Sequence, residues 1–235
     1  MKLLHVVASP RGEKSNTMRI ASAFLDSLRE QQAVVVDTVD LYHNDLPAIA
    51  GDNIEAKYSL MVGQPISKDH AESWAQIERA IEHFLSADAY LISSPMWNLH
   101  IPYALKYYID CIVQPGYVFE YNEAGQAVPM VHGKRMICVT SRGGDYSPGT
   151  FMNAYDFQEP YLRAIFGFIG ISDIEFISAQ PMDMTAELRE IAVRSAMEEA
   201  SALASRPDWA GVTTAPPDAH PGGLKSQPMD RNTRP

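Results

Sequence analysis

Cysteine and clustered positive charge are both scarce in this sequence. Its two cysteines, Cys111 and Cys138, lie among aliphatic neighbours and form no CxxC pair, which is typical of reduced core thiols rather than of a disulfide or redox couple. The formal net charge is -10 at pH 7. Because binding to nucleic-acid phosphates needs clustered Lys and Arg, this balance argues against a nucleic-acid partner.

Long apolar runs and metal-binding motifs are also missing. The run from Leu3 to Ala8 is too short for the core of a signal peptide, and no later stretch is long enough to cross a bilayer. We therefore expect no membrane partner and a reducing, cytoplasmic setting. None of the seven histidines has HxxxH or HExxH spacing, so no metal site is expected.

Short aliphatic runs alternate with helical patterns along most of the 235 residues. Strands that alternate with helices form parallel βαβ units with right-handed crossovers. The sequence therefore predicts an α/β fold, a doubly wound three-layer sandwich around a five-stranded parallel sheet, in one domain over residues 1–205. The predicted strands cover 3–8, 33–41, 89–93, 135–140 and 174–177; the predicted helices cover about 17–28, 74–85, 101–113, 155–170 and 185–205, with a hairpin over 117–131.

Two segments lack this periodicity. Residues 42–73 hold apolar side chains without a clear repeat, and aperiodic segments of this length inside a compact domain are usually functional or form interfaces. We expect this one to pack against another surface, and an obligate homodimer follows as a hypothesis. Residues 206–235 are rich in Pro, Gly and polar side chains, which predicts a flexible extension.

Three loops carry the candidate site. Ligands of open parallel sheets bind beyond the carboxyl ends of the strands, where the strand order reverses. This rule selects the loops after the first, third and fourth predicted strands, residues 9–17, 95–102 and 140–145. The first offers hydroxyl and amide groups at a helix start, as a phosphate site needs. The second offers an aromatic–amide pair that can frame a flat ring, and the third offers two adjacent glycines that allow close approach to the backbone.

Each loop also has a simpler interpretation. Ser15 or Asn16 would cap the following helix, Trp97 would be an ordinary core residue, and Gly143-Gly144 would form a tight turn. The first loop lacks both GxGxxG and the GK[ST] of the Walker motif, so a plain phosphate monoester is the favoured ligand. Taken together, the three loops describe a site for one phosphate and one planar ring with a polar edge, which is the shape of FMN.

The same loops resemble those of a known family. The FMN-dependent NADH azoreductases of the flavodoxin-like quinone reductase superfamily carry motifs that this sequence matches over roughly residues 1–205, at Ser9-Pro10-Arg11, Ser15-Asn16-Thr17, Pro95-Met96-Trp97-Asn98, Ile101, Leu105-Lys106 and Thr140 to Gly144. Three ordered motifs on the appropriate loops rarely coincide. The resemblance implies a flavodoxin-like fold, FMN as cofactor, NADH or NADPH as co-substrate, and a quinone or azo compound as acceptor.

The resemblance also implies roles for individual residues. Tyr121 matches a family tyrosine that reaches toward the active site, within one chain or across a dimer interface. His100 either donates a proton to the substrate or is a polar residue at a helix start. The sequence departs from the family at Trp97, Leu99 and 145–148, which bear on substrate preference. The phosphate would be held by Ser9, Ser15, Asn16 and Thr17, the isoalloxazine by Pro95, Met96, Trp97, Asn98 and Leu99, and the pyrimidine edge by Ser141, Arg142, Gly143 and Gly144. Arg11 is also expected to bind the cofactor.

The implied activity is a two-electron oxidoreduction by hydride transfer, with no side chain required as a nucleophile. NAD(P)H and the acceptor would occupy one place in turn, which predicts ping-pong kinetics. Two alternatives stay open. One is a flavodoxin-like electron carrier that binds FMN without turning over NAD(P)H; the other is a regulatory subunit that binds a nucleotide for control.

Overall fold

The computed structural model describes residues 1–210, and strands alternate with helices throughout them. In chain order the elements are β1 (Lys2–Val7), α1 (Asn16–Gln31), β2 (Val35–Asp40), α2 (Asp52–Met61), α3 (Lys68–Leu85), β3 (Ala89–Pro95), α4 (Tyr103–Ile112), β4 (Phe119–Tyr121), β5 (Ala127–Pro129), β6 (Arg135–Ser141), α5 (Glu159–Ile169), β7 (Asp173–Ala179), α6 (Ala186–Ala204) and α7 (Pro207–Ala210). The predicted strands and hairpin are all present, with ends shifted by a few residues.

One five-stranded sheet organises the fold, in the order β2-β1-β3-β6-β7, and every pair in it is parallel. The predicted doubly wound α/β fold is therefore confirmed. Register aligns Val7 with Ser93, Pro95 with Ser141, and Ser141 with Ala179. The loops that follow β1, β3, β6 and β7 consequently leave the sheet at one edge, and the strand order reverses between β1 and β3.

Helices cover both faces of the sheet, because its central strands are apolar on both sides. On one face, α1 and α6 pack over side chains such as Leu3, Leu91 and Ile137. On the other face, α3, α4 and α5 pack over side chains such as Leu4 and Ile92. Cys111 and Cys138 are free and buried, as their aliphatic neighbours predicted. The predicted three layers are thus present.

The expectation that residues 42–73 are aperiodic is wrong. They contain α2, and α3 begins at Lys68, six residues before the predicted start. Helix α2 escaped notice because it buries only Asn53 and Ala56, so no apolar stripe marks it. Leu46, Ile49 and Leu60 pack against the protein's own core, so these side chains do not by themselves require a partner.

The boundary predicted at residue 205 also needs correction. Arg206 to Ala210 continue into α7, and Trp209 is fully buried with its ring centroid 5.2 Å from that of Phe24. A large aromatic side chain near the chain end can dock into a core even when its neighbours are polar. The packed domain therefore reaches at least Trp209, and the rest of the predicted extension, 211–235, lies outside the described residues.

Within residues 1–210, no helix has both the length and the apolar character that crossing a bilayer requires. The same stretch contains no cluster of three or more His, Cys, Asp or Glu side chains arranged to hold a metal ion.

Candidate functional site

Two adjoining cavities open at the carboxyl-end edge of the sheet. We call them the phosphate-side cavity, of about 640 Å³, and the ring-side cavity, of about 550 Å³. Met96, Gly143 and Asp183 line both. The phosphate-side cavity is lined by Ser9, Arg11, Ser15, Asn16, Arg19, Pro95, Met96, Trp97, Ser141, Arg142, Gly143, Met182, Asp183, Ala186, Arg189 and Glu190. The ring-side cavity is lined by Met96, Asn98, Leu99, Gly143, Gly144, Asp145, Tyr146, Met152, Pro181, Asp183 and Met184.

The amino terminus of α1 borders the phosphate-side cavity with its donors unused. Ser15 is the N-cap residue, but its side chain caps no backbone N–H. Its hydroxyl instead lies 2.9 Å from that of Thr17. The first N–H groups of a helix have no partner within the helix, so those of Asn16, Thr17 and Met18 are available to an anion. The alternative that Ser15 simply caps α1 therefore fails.

Arginine side chains surround this helix end. Arg11, Arg19 and Arg189 line the phosphate-side cavity. The guanidinium of Arg19 binds both carboxylate oxygens of Glu190, at 3.1 and 2.7 Å, and Arg189 donates to the carbonyl of Met182 at 2.8 Å. Positive charge next to a helix amino terminus favours a phosphate group.

The loop between β3 and α4 forms a strained two-residue turn. Trp97 and His100 exchange backbone hydrogen bonds of 2.8 and 3.0 Å, and between them Asn98 and Leu99 have positive φ angles of 48° and 69°. Asn tolerates this region, but Leu does not, so the conformation costs free energy that other contacts must offset. Trp97 is 37% exposed, which rules out an ordinary core role.

Residues just before α5 hold this turn in place. The Phe157 N–H donates to the Leu99 carbonyl at 3.1 Å. The side-chain amide of the fully buried Gln158 donates to the carbonyls of Ser94, at 3.2 Å, and Pro95, at 3.1 Å. The carbonyls at the end of β3 are therefore fixed from outside the loop itself.

Only the first glycine of the pair after β6 is closely packed. A Cβ on Gly143 would collide with the carboxylate of Asp183, whereas one on Gly144 would make ordinary van der Waals contact with Met152, at 3.4 Å. Neither glycine has a positive φ. Within residues 1–210, the N–H groups of Gly143, Gly144 and Asp145 make no hydrogen bond, and neither do those of Asn98 and Leu99. Unpaired donors therefore border the ring-side cavity from two loops.

Arg142, which the resemblance places at the pyrimidine edge, has a side chain that is paired with two carboxylates. Its guanidinium is 3% exposed and lies 2.9 Å from the Asp156 carboxylate and 3.5 Å from that of Glu159. A buried guanidinium needs such partners to offset its desolvation. The side chain therefore ties the end of β6 to the start of α5, and Arg142 also lines the phosphate-side cavity.

Three other predicted residues lie outside both cavities. Thr17 is fully buried beside Ser15. The His100 ring packs against that of Tyr161 at a tilt of 47°, with the centroids 4.9 Å apart, and its Nδ1 accepts the Ile101 N–H at 2.8 Å. Burial, and then the charge of Lys106, lowers the pKa of the imidazole. A neutral ring with a local hydrogen bond fits a residue at a helix start. Tyr121 is 46% exposed on the hairpin, where it packs on Phe119.

A fourth loop, between β7 and α6, was missed by sequence reasoning. It supplies Pro181, Met182, Asp183 and Met184 to the cavities, and the Met182 N–H donates to the Arg142 carbonyl at 2.9 Å. No motif marks this loop. The rule that selected the other three would have selected it too, because β7 pairs directly with β6.

The two cavities differ in charge. Arginines dominate the rim of the phosphate-side cavity, whereas among residues 1–210 the lining of the ring-side cavity contains Asp145 and Asp183 and no Lys or Arg. Hydrogen bonds from Ser147 lower the pKa of Asp145, which keeps that carboxylate ionised at neutral pH. The site therefore suits a ligand with an anionic end and a polar but uncharged ring.

Comparison with known proteins gives the same family from sequence and from structure. A protein from Nitratidesulfovibrio vulgaris (strain DP4), named FMN-dependent NADH:quinone oxidoreductase, is 40% identical over 180 residues, which cover 76% of this chain and 86% of that protein. One of the same name from Desulfotalea psychrophila is 36% identical, over 86% of this chain and 96% of its own.

Solved structures agree. The azoreductase of Bacillus anthracis str. Sterne superposes with a TM-score of 0.77 at 28% identity, over 87% of this chain and 98% of that one. An FMN-dependent NADH-azoreductase from Bacillus anthracis str. Ames Ancestor, in complex with FMN, superposes with a TM-score of 0.74 at 28% identity, over 86% and 99%. The family model described as a flavodoxin-like fold matches residues 1–204. The chain therefore belongs to the flavodoxin-like family, together with the FMN-dependent NADH:quinone oxidoreductases and azoreductases.

Proposed function

We propose that this protein is an FMN-dependent oxidoreductase that uses NADH to reduce quinones or azo compounds. The observation that carries the proposal is the pair of adjoining cavities at the strand-order reversal, with unpaired backbone donors at each end. Related proteins carry this activity in their names, including one whose structure was solved with FMN.

The residues of both cavities fit FMN. The uncapped amino terminus of α1, with Ser9 and Arg11, offers N–H, hydroxyl and guanidinium donors to a phosphate. The free N–H groups of Gly143, Gly144 and Asp145 offer donors to the polar edge of a ring. The apolar part of the lining, Met96, Leu99 and Met152, suits the ring's faces.

When bound, FMN supplies the acceptance and donation of hydride. The chain's own residues would bind and orient FMN and exclude water from its ring. The Trp97–His100 turn, fixed by Phe157 and Gln158, keeps the N–H groups of Asn98 and Leu99 beside the ring-side cavity. The loop after β6 does the same for Gly143 and Gly144, because the Asp183 N–H donates to the Gly143 carbonyl at 2.9 Å and the Arg142 side chain pairs with Asp156. Donors held in advance cost no reorganisation during the reaction.

NADH and the acceptor would use the same ring-side cavity in turn. Both must reach the same cofactor ring, and the ring-side cavity that Asn98, Leu99 and Gly144 line is where that ring would be exposed. We therefore expect ping-pong kinetics. Initial rates measured against quinone at several NADH concentrations should give parallel double-reciprocal lines, and intersecting lines would contradict a shared place.

The first experiment is a visible spectrum of the purified protein, followed by anaerobic addition of NADH and then of a quinone. Flavin bands that bleach with NADH and return with the quinone would support the proposal, and NADPH added in parallel would establish the preferred donor. Bound flavin that neither nucleotide bleaches would favour the electron carrier or the regulatory subunit. Failure to bind FMN after reconstitution would contradict the assignment of both cavities.

A homodimer remains part of the proposal. Large apolar side chains stand exposed near the ring-side cavity: Phe151 is 79% exposed, Met184 54% and Phe157 52%. Exposed clusters of this kind are typical of interfaces, and Tyr121 of a partner subunit would then be able to reach the site. Sedimentation equilibrium at micromolar concentration tests this, because a monomeric mass would contradict it.

A reducing, cytoplasmic location is proposed on the two free, buried thiols alone. Fractionation of the source cells, with the protein detected by antibody, tests it; recovery from an oxidising compartment would contradict it.

A further inference from the structure

We propose that Glu190 limits how tightly the protein holds the phosphate group of its ligand, because it occupies the guanidinium of Arg19 that would otherwise bind that phosphate. The inference rests on the proposed function and concerns two residues, on α1 and α6, that lie outside all of the sequence motifs. Both side chains line the phosphate-side cavity, together with Ser9, Ser15 and Asn16. The pair therefore borders the place where the phosphate of FMN would bind.

The position of Arg19 on α1 directs its side chain toward the phosphate-side cavity. The Arg19 N–H donates to the Ser15 carbonyl at 3.2 Å, so Arg19 lies one turn after the N-cap residue and on the same face of the helix. Side chains of a helix lean toward its amino terminus. The guanidinium of Arg19 is therefore carried back toward the unpaired N–H groups that begin α1.

Glu190 holds this guanidinium at two points. Arg19 Nη1 lies 3.1 Å from Glu190 Oε2, and Arg19 Nη2 lies 2.7 Å from Glu190 Oε1. A guanidinium binds a phosphate with the same paired geometry, so the carboxylate and a phosphate compete for the same two donors. Because the two side chains are 39% and 50% exposed, their ion pair adds little to the stability of the fold. Its main consequence is for the ligand.

Glu190 carries its charge at neutral pH. Hydrogen bonds from Arg19, followed by the charges of Arg19 and Arg194, lower the pKa of the Glu190 carboxyl. Arg189 lines the same cavity, and its Nε donates to a neutral group, the Met182 carbonyl, at 2.8 Å. Arg19, by contrast, has its charge balanced by a carboxylate before any phosphate binds. A phosphate would therefore gain less from Arg19 than the position of this residue allows.

The test is Glu190→Gln, which removes the charge and keeps the length of the side chain. Flavin fluorescence titrations of the apoprotein give dissociation constants for FMN and for riboflavin, which has the same ring but no phosphate. We expect the dissociation constant of FMN to fall roughly tenfold, the equivalent of about 1.4 kcal/mol, as for one added charge-assisted interaction. The dissociation constant of riboflavin should stay within twofold of wild type, because riboflavin offers no anion to Arg19.

A double-mutant cycle with Arg19→Gln separates release of the arginine from simple loss of a nearby negative charge. If Glu190 acts through Arg19, adding Glu190→Gln to Arg19→Gln should change the dissociation constant of FMN by less than twofold. A tenfold fall that persists in this background would mean direct repulsion of the phosphate, and it would overturn the inference.

Glu187→Gln is the matched control. Glu187 is exposed in the first turn of α6 and lines neither cavity, so the substitution makes the same change of charge away from Arg19. It should leave the dissociation constant of FMN within twofold of wild type, and a fall as large as that of Glu190→Gln would overturn the inference.

Two further results would overturn the role of Glu190: an FMN dissociation constant for Glu190→Gln that is equal to or above that of wild type, or equal tightening of riboflavin. Wild-type protein that binds FMN and oxidises NADH would leave the proposed function standing in either event. Wild-type protein that binds neither flavin would contradict the proposed function first, and the role of Glu190 with it.

Discussion

Asn98 shows at the scale of one residue how a left-handed backbone limits the choice of side chain. Its φ of 48° lies in the left-handed region, where Asn is tolerated and Ala is not. We expect Asn98→Ala to be less stable than Asn98→Gly by about 1 kcal/mol, which is roughly 2–4 °C in Tm for a domain of this size. Both variants lose the same side-chain amide, so their difference in thermal unfolding reports the backbone. Equal Tm values for the two variants would contradict a backbone cost for Ala at residue 98.

His5 gives a second prediction for a single residue. It is 3% exposed, 2.8 Å from the Ser93 hydroxyl, and burial lowers the pKa of its imidazole to about 4. The unfolded chain takes up a proton near pH 6.5, whereas the folded protein does so only near pH 4. The stability that neutral His5 contributes is therefore complete above about pH 6.5 and is lost as the pH falls toward 4, by up to about 3 kcal/mol.

The check is urea unfolding of wild type and His5→Gln between pH 7 and pH 4. We expect the free energy of unfolding to fall less steeply with decreasing pH in the variant, whatever its absolute stability. Carboxylates and the other six histidines titrate in both proteins and cancel in the difference. Parallel curves would contradict a depressed pKa for His5.

Sequence reasoning at this scale identified residue types but not the direction of side chains. Ser15 was expected either to cap α1 or to leave its donors to a phosphate, and only the hydroxyl contact with Thr17 decides between them. The motif predicts that Arg142 meets a ligand edge, and only the structure reveals that Asp156 and Glu159 pair with its side chain. Those partners lie 14 and 17 residues away along the chain, and no local pattern reveals them.

At the scale of elements, the segment before α5 supports the loop after β3. Replacing Gln158 with Leu removes the donor to the carbonyls of Ser94 and Pro95 and leaves both without this partner. We expect a loss of about 2 kcal/mol in the free energy of unfolding and weaker FMN binding, because the Trp97–His100 turn follows these carbonyls. Thermal unfolding of the apoprotein and a flavin fluorescence titration measure the two effects.

Gln64→Leu is the control for this change, since Gln64 is exposed between α2 and α3. It should match wild type in both measurements. A Gln158→Leu protein that loses stability but binds FMN normally would show that the segment supports the fold without tuning the loop.

Strand periodicity made most elements predictable. The central strands are continuous aliphatic runs, and the order of strands and helices leaves few topologies. α2 was missed because its exposed apolar residues, such as Tyr58 and Met61, break the stripe that marks a helix. The three motif-bearing loops were found by their place after β1, β3 and β6, whereas the loop after β7 carries no motif.

For the whole molecule, the boundary of the folded domain can be tested by truncation. Trp209 is fully buried, its ring meets Phe24 edge-on, and the Arg135 guanidinium lies 5.2 Å from its centroid. Losing a buried Trp from a core costs about 3–5 kcal/mol. We therefore expect a chain ending at residue 205 to melt roughly 10 °C below the full protein. A chain ending at residue 210 should melt within about a degree of it, because residues 211–235 are predicted to be a flexible extension.

Thermal unfolding of the two truncated chains beside full-length Trp209→Ala separates the contribution of Trp209 from that of the rest of the terminus. The substitution should reproduce most of the loss seen on ending at 205, since the Arg206 pairs with Glu175 and Asp208 are exposed and exposed pairs contribute little. If the chain ending at 210 were instead the unstable one, residues 211–235 would have to pack on the domain, and the prediction of a flexible extension would be wrong. Equal melting temperatures for the two truncated chains, Trp209→Ala and wild type would mean that Trp209 does not hold the terminus in solution.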